Sequence, residues 1–276
     1  MRKIKTYLVL LIGVSLMAAT ACNKDEDMDD NNNNNDTTPK TCYITTMDYG
    51  DNYDEVEYNS SNKVILQTNY DSTGTPSGYS SVFTYSSNLL VKMESIENGQ
   101  TENKLEMVYT ADDKIDTVHL YANTTGTLEK LGYFKYVYSG EKVASVSMYF
   151  EYMGTMLEVS KNEFTYTGDN VSLMTTYSMD MSTMSLSLES TTEYTYDDKK
   201  NPMIGIGLDN LMGEAMFMSK NNILTETVRD ADGIVQNDAS LNYSYTYSEN
   251  DYPEVSTATT FDNSETEVTT YSYDCE

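Results

Sequence analysis

Eight runs in this sequence end alike, in a tyrosine that closes a stretch of alternating apolar and polar residues. The closing residues are Tyr58, Tyr85, Tyr109, Tyr138, Tyr166, Tyr196, Tyr247 and Tyr273. The intervals between them are 27, 24, 29, 28, 30, 51 and 26 residues. Such a period, broken once, marks an internal repeat. Each copy reads apolar-x-Tyr, a short polar turn, then a new β-rich run. Copy two is Phe83-x-Tyr85, a turn, then Leu89-x-Val91-x-Met93; copy four is Phe134-x-Tyr136-x-Tyr138 followed by Val143; copy five is Phe164-x-Tyr166 followed by Val171-x-Leu173. Apolar residues two apart share one face of a strand, and the Ser, Thr, Lys and Glu between them take the other. Thr73-Gly74, Asn98-Gly99, Thr125-Gly126 and Asp232-Gly233 supply the turns at the far ends of the units. The reading is all-β: one antiparallel meander of about fifteen strands.

So many strands cannot lie flat in an open sheet, so the sheet should be strongly curved or barrel-like, with its tyrosines turned inward. The single long interval holds Leu208, Leu211, Met212, Ala215 and Met216 at helical spacing. Residues 202–220 are therefore expected to form a short helix or compact loop that caps or plugs the sheet, because so apolar a segment would not be left in water.

The Tyr-x-Tyr turns followed by an aliphatic strand resemble the YD-type repeats of RHS-like proteins. Tyr194-Thr195-Tyr196-Asp197 with Asn201-Pro202, the later Asn221-Asn222, and Tyr245-Thr246-Tyr247 with Tyr252-Pro253 resemble more closely a group of Bacteroidota lipoproteins of unknown function. That resemblance covers nearly all of 41–276. It implies a β-rich extracytoplasmic domain with no established activity.

The amino terminus sets the expected location. Residues 1–21 carry a basic leader, the apolar run Leu8–Met17 and the small residues Ala18–Ala21, the pattern of a secretory signal. Ala19-Thr20-Ala21-Cys22 resembles a lipobox, which implies that Cys22 carries acyl chains and anchors the chain to a membrane. Residues 22–40, acidic and then Asn-rich, cannot bury enough surface to fold and are read as a disordered tether. Fully flexible, it would reach about 20–25 Å. Asp25, Glu26 and Asp27 resemble the export signal of Bacteroidota surface lipoproteins, which places the expected location on the outer membrane facing the exterior. Residues 41–276 form the repeat domain.

Cys42 and Cys275 flank the repeats. An even pair in an exported chain points to a disulfide, which requires the first and last strands to be neighbours.

Little in the sequence points to catalysis. The net charge of −27 makes nucleic acid a poor partner. The one histidine, His119, stands in an alternating strand with no further ligand near it. Asp230-Ala231-Asp232-Gly233 lacks the remaining ligands of a calcium loop and reads as a hairpin turn. Met174, Met179, Met181 and Met184 are read as core fillers rather than a copper site. No catalytic, cofactor or metal residues are assigned. The expectation is a non-enzymatic, lipid-anchored β-repeat protein with a binding or envelope-structural role, its partner a glycan or envelope protein. The rival is a glycan-capturing component of nutrient uptake, and a hydrolase is the third and weakest reading.

Overall fold

The computed structural model describes residues 40–276; the signal segment, Cys22 and nearly all of the tether lie outside the described residues. The strands are β1 (Cys42–Asp48), β2 (Asn52–Tyr58), β3 (Val64–Asp71), β4 (Pro76–Ser86), β5 (Leu89–Glu97), β6 (Gln100–Tyr109), β7 (Ile115–Asn123) and β8 (Leu128–Ser139). They continue as β9 (Lys142–Tyr152), β10 (Thr155–Thr167), β11 (Asn170–Asp180), β12 (Ser185–Tyr196), β13 (Ile223–Asp230), β14 (Leu241–Tyr247), β15 (Pro253–Thr260) and β16 (Thr266–Cys275). Each pairs antiparallel with its neighbours in sequence, and β1 pairs with β16 to close a barrel. The all-β meander is as expected, with sixteen strands rather than about fifteen.

All eight closing tyrosines stand within the last three residues of even-numbered strands, at one rim of the barrel. Beside each of them the register slips by one residue, so that Tyr85 pairs with Leu90 while Thr84 pairs with Lys92. The same slip recurs at Tyr109/Ile115, Tyr138/Val143 and Tyr166/Val171. A bulge of this kind leaves one residue unpaired and flips the phase of the strand beyond it. Simple alternation therefore fails at the turn. It puts Leu89, Val91 and Met93 on one face, whereas Leu90 and Met93 are the buried pair. Likewise Val171 is fully buried and Met174 packs on the core, while Leu173 lies on the outer face, opposite Glu193.

The tyrosines also repair the bulges. Tyr58 donates to the Ile44 carbonyl at 2.8 Å, Tyr109 to Leu90 at 2.7 Å, Tyr166 to Val143 at 3.0 Å and Tyr273 to Pro253 at 2.6 Å. Tyr245 does the same for Ile223 at 2.8 Å. Leu90, Val143, Ile223 and Pro253 stand beside the bulge of the preceding strand pair, and Ile44 stands beside the bulge of the β1–β16 seam. A buried carbonyl without a donor costs about 1–3 kcal/mol, so in these five copies a tyrosine offsets the defect of a neighbouring bulge.

Eight strands make a barrel that side chains can fill, whereas sixteen leave a channel. Here the 197–222 connection occupies one end of that space. It is a plug, as expected, but its helical content is limited to two single 3-10 turns, Leu211–Gly213, in which Met212 is left-handed, and Ala215–Phe217, with extended Glu214 between them. Ile206, Leu211, Ala215 and Phe217 are buried against Val146, Phe164 and the inner tyrosines. The plug leaves β12, crosses the barrel and meets β3, where Val64 donates its N–H to the Ile206 carbonyl at 3.1 Å. Cα-side space decides the fit at two glycines. A Cβ on Gly213 would lie 3.0 Å from Val146, and one on Gly207 would lie 2.6 Å from the Tyr85 hydroxyl.

Candidate functional site

The plug divides the interior into two zones. At the tyrosine rim the inward residues are apolar or aromatic. Toward the other rim they become polar: Asp54, Gln67, Asn69, Asn103, Asn162, Thr192, Glu226, Glu267 and Thr269 all fall on lumen-facing positions by strand register. Asp54 is nearly fully buried and accepts hydrogen bonds from Gln67 (2.8 Å), Asn69 (2.9 Å) and Tyr49 (3.3 Å). The hairpins at this second rim are tight turns, such as Asn98–Gly99 and Met153–Gly154, too short to cover the mouth. The longer 231–240 connection folds back on its own strand, Gln236 donating its N–H to the Val228 carbonyl at 2.8 Å. The barrel is thus a cup with a floor.

The base of the plug is fixed by the residues that carried the lipoprotein resemblance. The Asp197 carboxylate accepts from the Asn222 backbone and side-chain amides, both at 3.1 Å, and from the Tyr247 hydroxyl. The Asn201 side chain donates to the carbonyls of Met216 (2.7 Å) and Ser219 (2.8 Å). Ser219 stands between Tyr196 and Val171, bonding to both. At Tyr85, Tyr196 and Tyr247 the bulge repair therefore gives way to contacts with the plug or its root.

On the floor, a cavity of about 120 Å³ is lined by Asn201, Met203, Met216, Asn222, Ile223, Glu226, Tyr243, Tyr245, Ser256 and Tyr271, with Pro202 and Pro253. Glu226 Oε1 accepts from the Tyr243 hydroxyl at 2.9 Å. The other hydroxyls are engaged elsewhere, Tyr245 with Ile223 and Tyr271 with Ser256, so the rings present apolar surface to the cavity. Desolvation pushes the carboxyls of Glu226, Glu214 and Glu267 up from the usual range. Glu214, on the plug, is exposed, and its charge reaches lumen-facing Tyr136, Tyr194 and Glu226. Among the described residues, no strand lysine or arginine shares this space. Lys92, Lys104, Lys135, Lys161 and Arg229 lie on the outer face, paired with Glu94, Glu106, Asp116, Glu163 and Glu193.

Those ion pairs also characterise the outer wall. A barrel that spans a membrane presents an apolar band, and a lysine or arginine at its midplane costs about 2–4 kcal/mol. This wall carries charges along strand after strand. It also holds a shallow groove of about 400 Å³ beside Thr117, His119, Lys130, Tyr133, Lys135 and Tyr149, in which Tyr133 and Tyr149 stack at 4.8 Å.

The sequence-predicted residues are placed as follows. Cys42 and Cys275 face each other across the β1–β16 seam and are joined by a disulfide. His119 points outward from β7 and meets the edge of Tyr133. Asp230 accepts from the N–H groups of Asp232 and Ile234 in a hairpin turn. Met174 packs inside, whereas Met181 and Met184 are exposed in the β11–β12 turn, so the methionines do not converge. Among the described residues, no group of His, Cys, Asp and Glu could hold a metal ion, and no helix is long and apolar enough to cross a membrane. Glu226 was not singled out by sequence reasoning. Alternation counted from Ile223 puts it outside, and the bulge at Leu224 brings it in.

No described protein family matches the chain, and no curated protein is significantly similar to it. A solved porin-like protein from Bacteroides uniformis is 10% identical, with 84% of this chain and 98% of that one aligned at a TM-score of 0.52; the likeness is one of fold alone. A porin-like protein from Bacteroides vulgatus (11% identity, 85% and 99% covered, TM-score 0.48) and the TcdB2–TccC3 complex (11% identity, 81% and 14% covered, TM-score 0.32) are similar more loosely.

Proposed function

We propose that this chain is a non-catalytic binding cup, held by a lipid on Cys22 to the outer membrane and facing the cell exterior. The observation that carries this reading is the polarity of the barrel along its axis. Lys40 enters at the plugged rim, where its carbonyl accepts from Lys200 at 3.1 Å and Thr41 exchanges backbone bonds with Glu276. A tether arriving there puts the floor toward the membrane and the open polar mouth away from it. The charged wall and the plug both argue against a conducting pore, and the acidic surface against nucleic acid.

A hydrolase is the less supported class. Acid–base catalysis by two carboxyls needs environments that push their ionisation apart, and Glu226 and Glu214 are both pushed up by the same cause. Glycan capture is the rival ligand reading, and the outer Tyr133–Tyr149 groove is the feature that favours it.

Fractionation of cells expressing the full chain and its Cys22→Ser variant tests the anchor, with the wild type in the outer membrane and the variant released. Planar-bilayer recording on the purified chain should show no channel. Stable conductance steps, or membrane retention of the variant, would overturn the reading.

A further inference from the structure

We propose that the floor cavity of the cup binds a small organic ammonium group, with the Glu226 carboxylate as its counter-charge and the rings of Tyr243, Tyr245 and Tyr271 as its walls. The inference deepens the binding-cup reading and rests on it.

Three observations converge on this ligand class. The first is size. A dry cavity of about 150 Å³ accommodates one benzene, so the 120 Å³ here admits a single compact group such as a trimethylammonium head and excludes a sugar ring with its hydroxyls and hydration. The second is charge. Glu226 uses Oε1 for Tyr243, and Oε2 has no protein donor among the described residues. Glu214 adds to the negative field, Glu267 lies on the same inner surface three strands further round, and the strand cations are all outside. The third is the wall chemistry. With the tyrosine hydroxyls tied to Glu226, Ile223 and Ser256, the rings offer their π-systems, and Met203, Met216, Pro202 and Pro253 complete an apolar lining. Aromatic walls around one carboxylate stabilise an alkylated cation, which has few N–H groups to satisfy.

Burial disfavours ionised Glu226, and a counter-charge beside it would offset that cost. A bound cation would supply it. The tyrosines are not free to swing away, because Tyr243 and Tyr245 lie parallel at 6.4 Å and each is fixed through its hydroxyl. The cavity is therefore pre-shaped, which lowers the ordering cost of binding.

The test is calorimetry and saturation-transfer NMR on the purified full chain with tetramethylammonium chloride, with 3,3-dimethylbutan-1-ol, which carries a branched tert-butyl head of similar size and no charge, in a parallel titration. Saturable binding of the cation and none of the alcohol is expected. Glu226→Gln should weaken the cation by about tenfold or more, the scale of one charge-assisted contact. Equal binding of the alcohol, no saturable binding of the cation, or an unchanged affinity in Glu226→Gln would overturn the proposal. Should that variant not fold, the cation–alcohol comparison on the wild type still decides. An oligosaccharide that binds the chain while tetramethylammonium does not would sink the ammonium site and leave the cup standing, whereas a membrane-conducting barrel would sink the cup itself.

Discussion

Tyr109, the last residue of β6, donates its hydroxyl to the carbonyl of Leu90 on β5 at 2.7 Å. Leu90 is the residue at which the preceding hairpin slips its register against Tyr85. One side chain thus fills the interior and repairs a backbone defect that the previous copy of the motif creates.

The repair can be measured. Tyr109→Phe and Tyr166→Phe keep the ring and orphan a bulge carbonyl, and each should cost about 1–2 kcal/mol in denaturant unfolding. The Tyr85 hydroxyl is buried without a partner, so Tyr85→Phe should be neutral or slightly stabilising. Equal losses at all three positions would show that the hydroxyls contribute nothing specific.

The plug can be loosened at one atom. Gly207 has φ +95° and lies against Tyr85, so Gly207→Ala combines backbone strain with a clash and should cost about 1–3 kcal/mol. Gly140, also at positive φ but with nothing within 4 Å of a Cβ, should lose only the backbone share, about 1 kcal/mol. Limited proteolysis of Gly207→Ala should cut first within 197–222.

Acidity should have a definite sign. Glu226, Glu214 and Glu267 are raised above 4.5 in the folded chain, so the folded state holds more protons than the unfolded state once the pH passes that value. Their contribution to stability is then lost as pH rises through the folded values. Glu226→Gln should be more stable than the parent at neutral pH and indistinguishable from it at about pH 4. Glu214 touches solvent, and its share should be smaller. Thermal melts across this range check the sign.

The seam bond should matter more than any single contact. Cys42 and Cys275 are 233 residues apart, and by the chain-entropy account closing so long a loop contributes up to about 5 kcal/mol. Cys275→Ser, or reduction of the parent, should lower the melting temperature and speed amide exchange in β1 and β16 ahead of the other strands. Uniform exchange around the ring would contradict this.

The periodic tyrosines made the meander, its curvature and the plug readable, because a side chain that closes every second strand recurs at fixed spacing. The phase of each odd strand was not readable. Ile223, Leu224, Thr225 and Glu226 look like a simple alternation, and only the bulge at Leu224 shows that Glu226 is inside. The polar half of the lumen was hidden for a related reason. Gln67 and Asn69 face in while Thr68 faces out, and nothing in their chemistry separates the faces until the strand is paired. The hydrogen bonds from tyrosine to bulge were equally hidden, since an unpaired carbonyl leaves no trace in the residue alphabet.

Cys42, on the first strand, is bonded to Cys275 on the final one. Under the proposed anchoring through Cys22, tension arriving from the amino-terminal side would meet a covalent junction before it meets a ladder of hydrogen bonds. The load divides between β1 and β16, and the hoop is pulled as one body instead of being peeled open from its first strand.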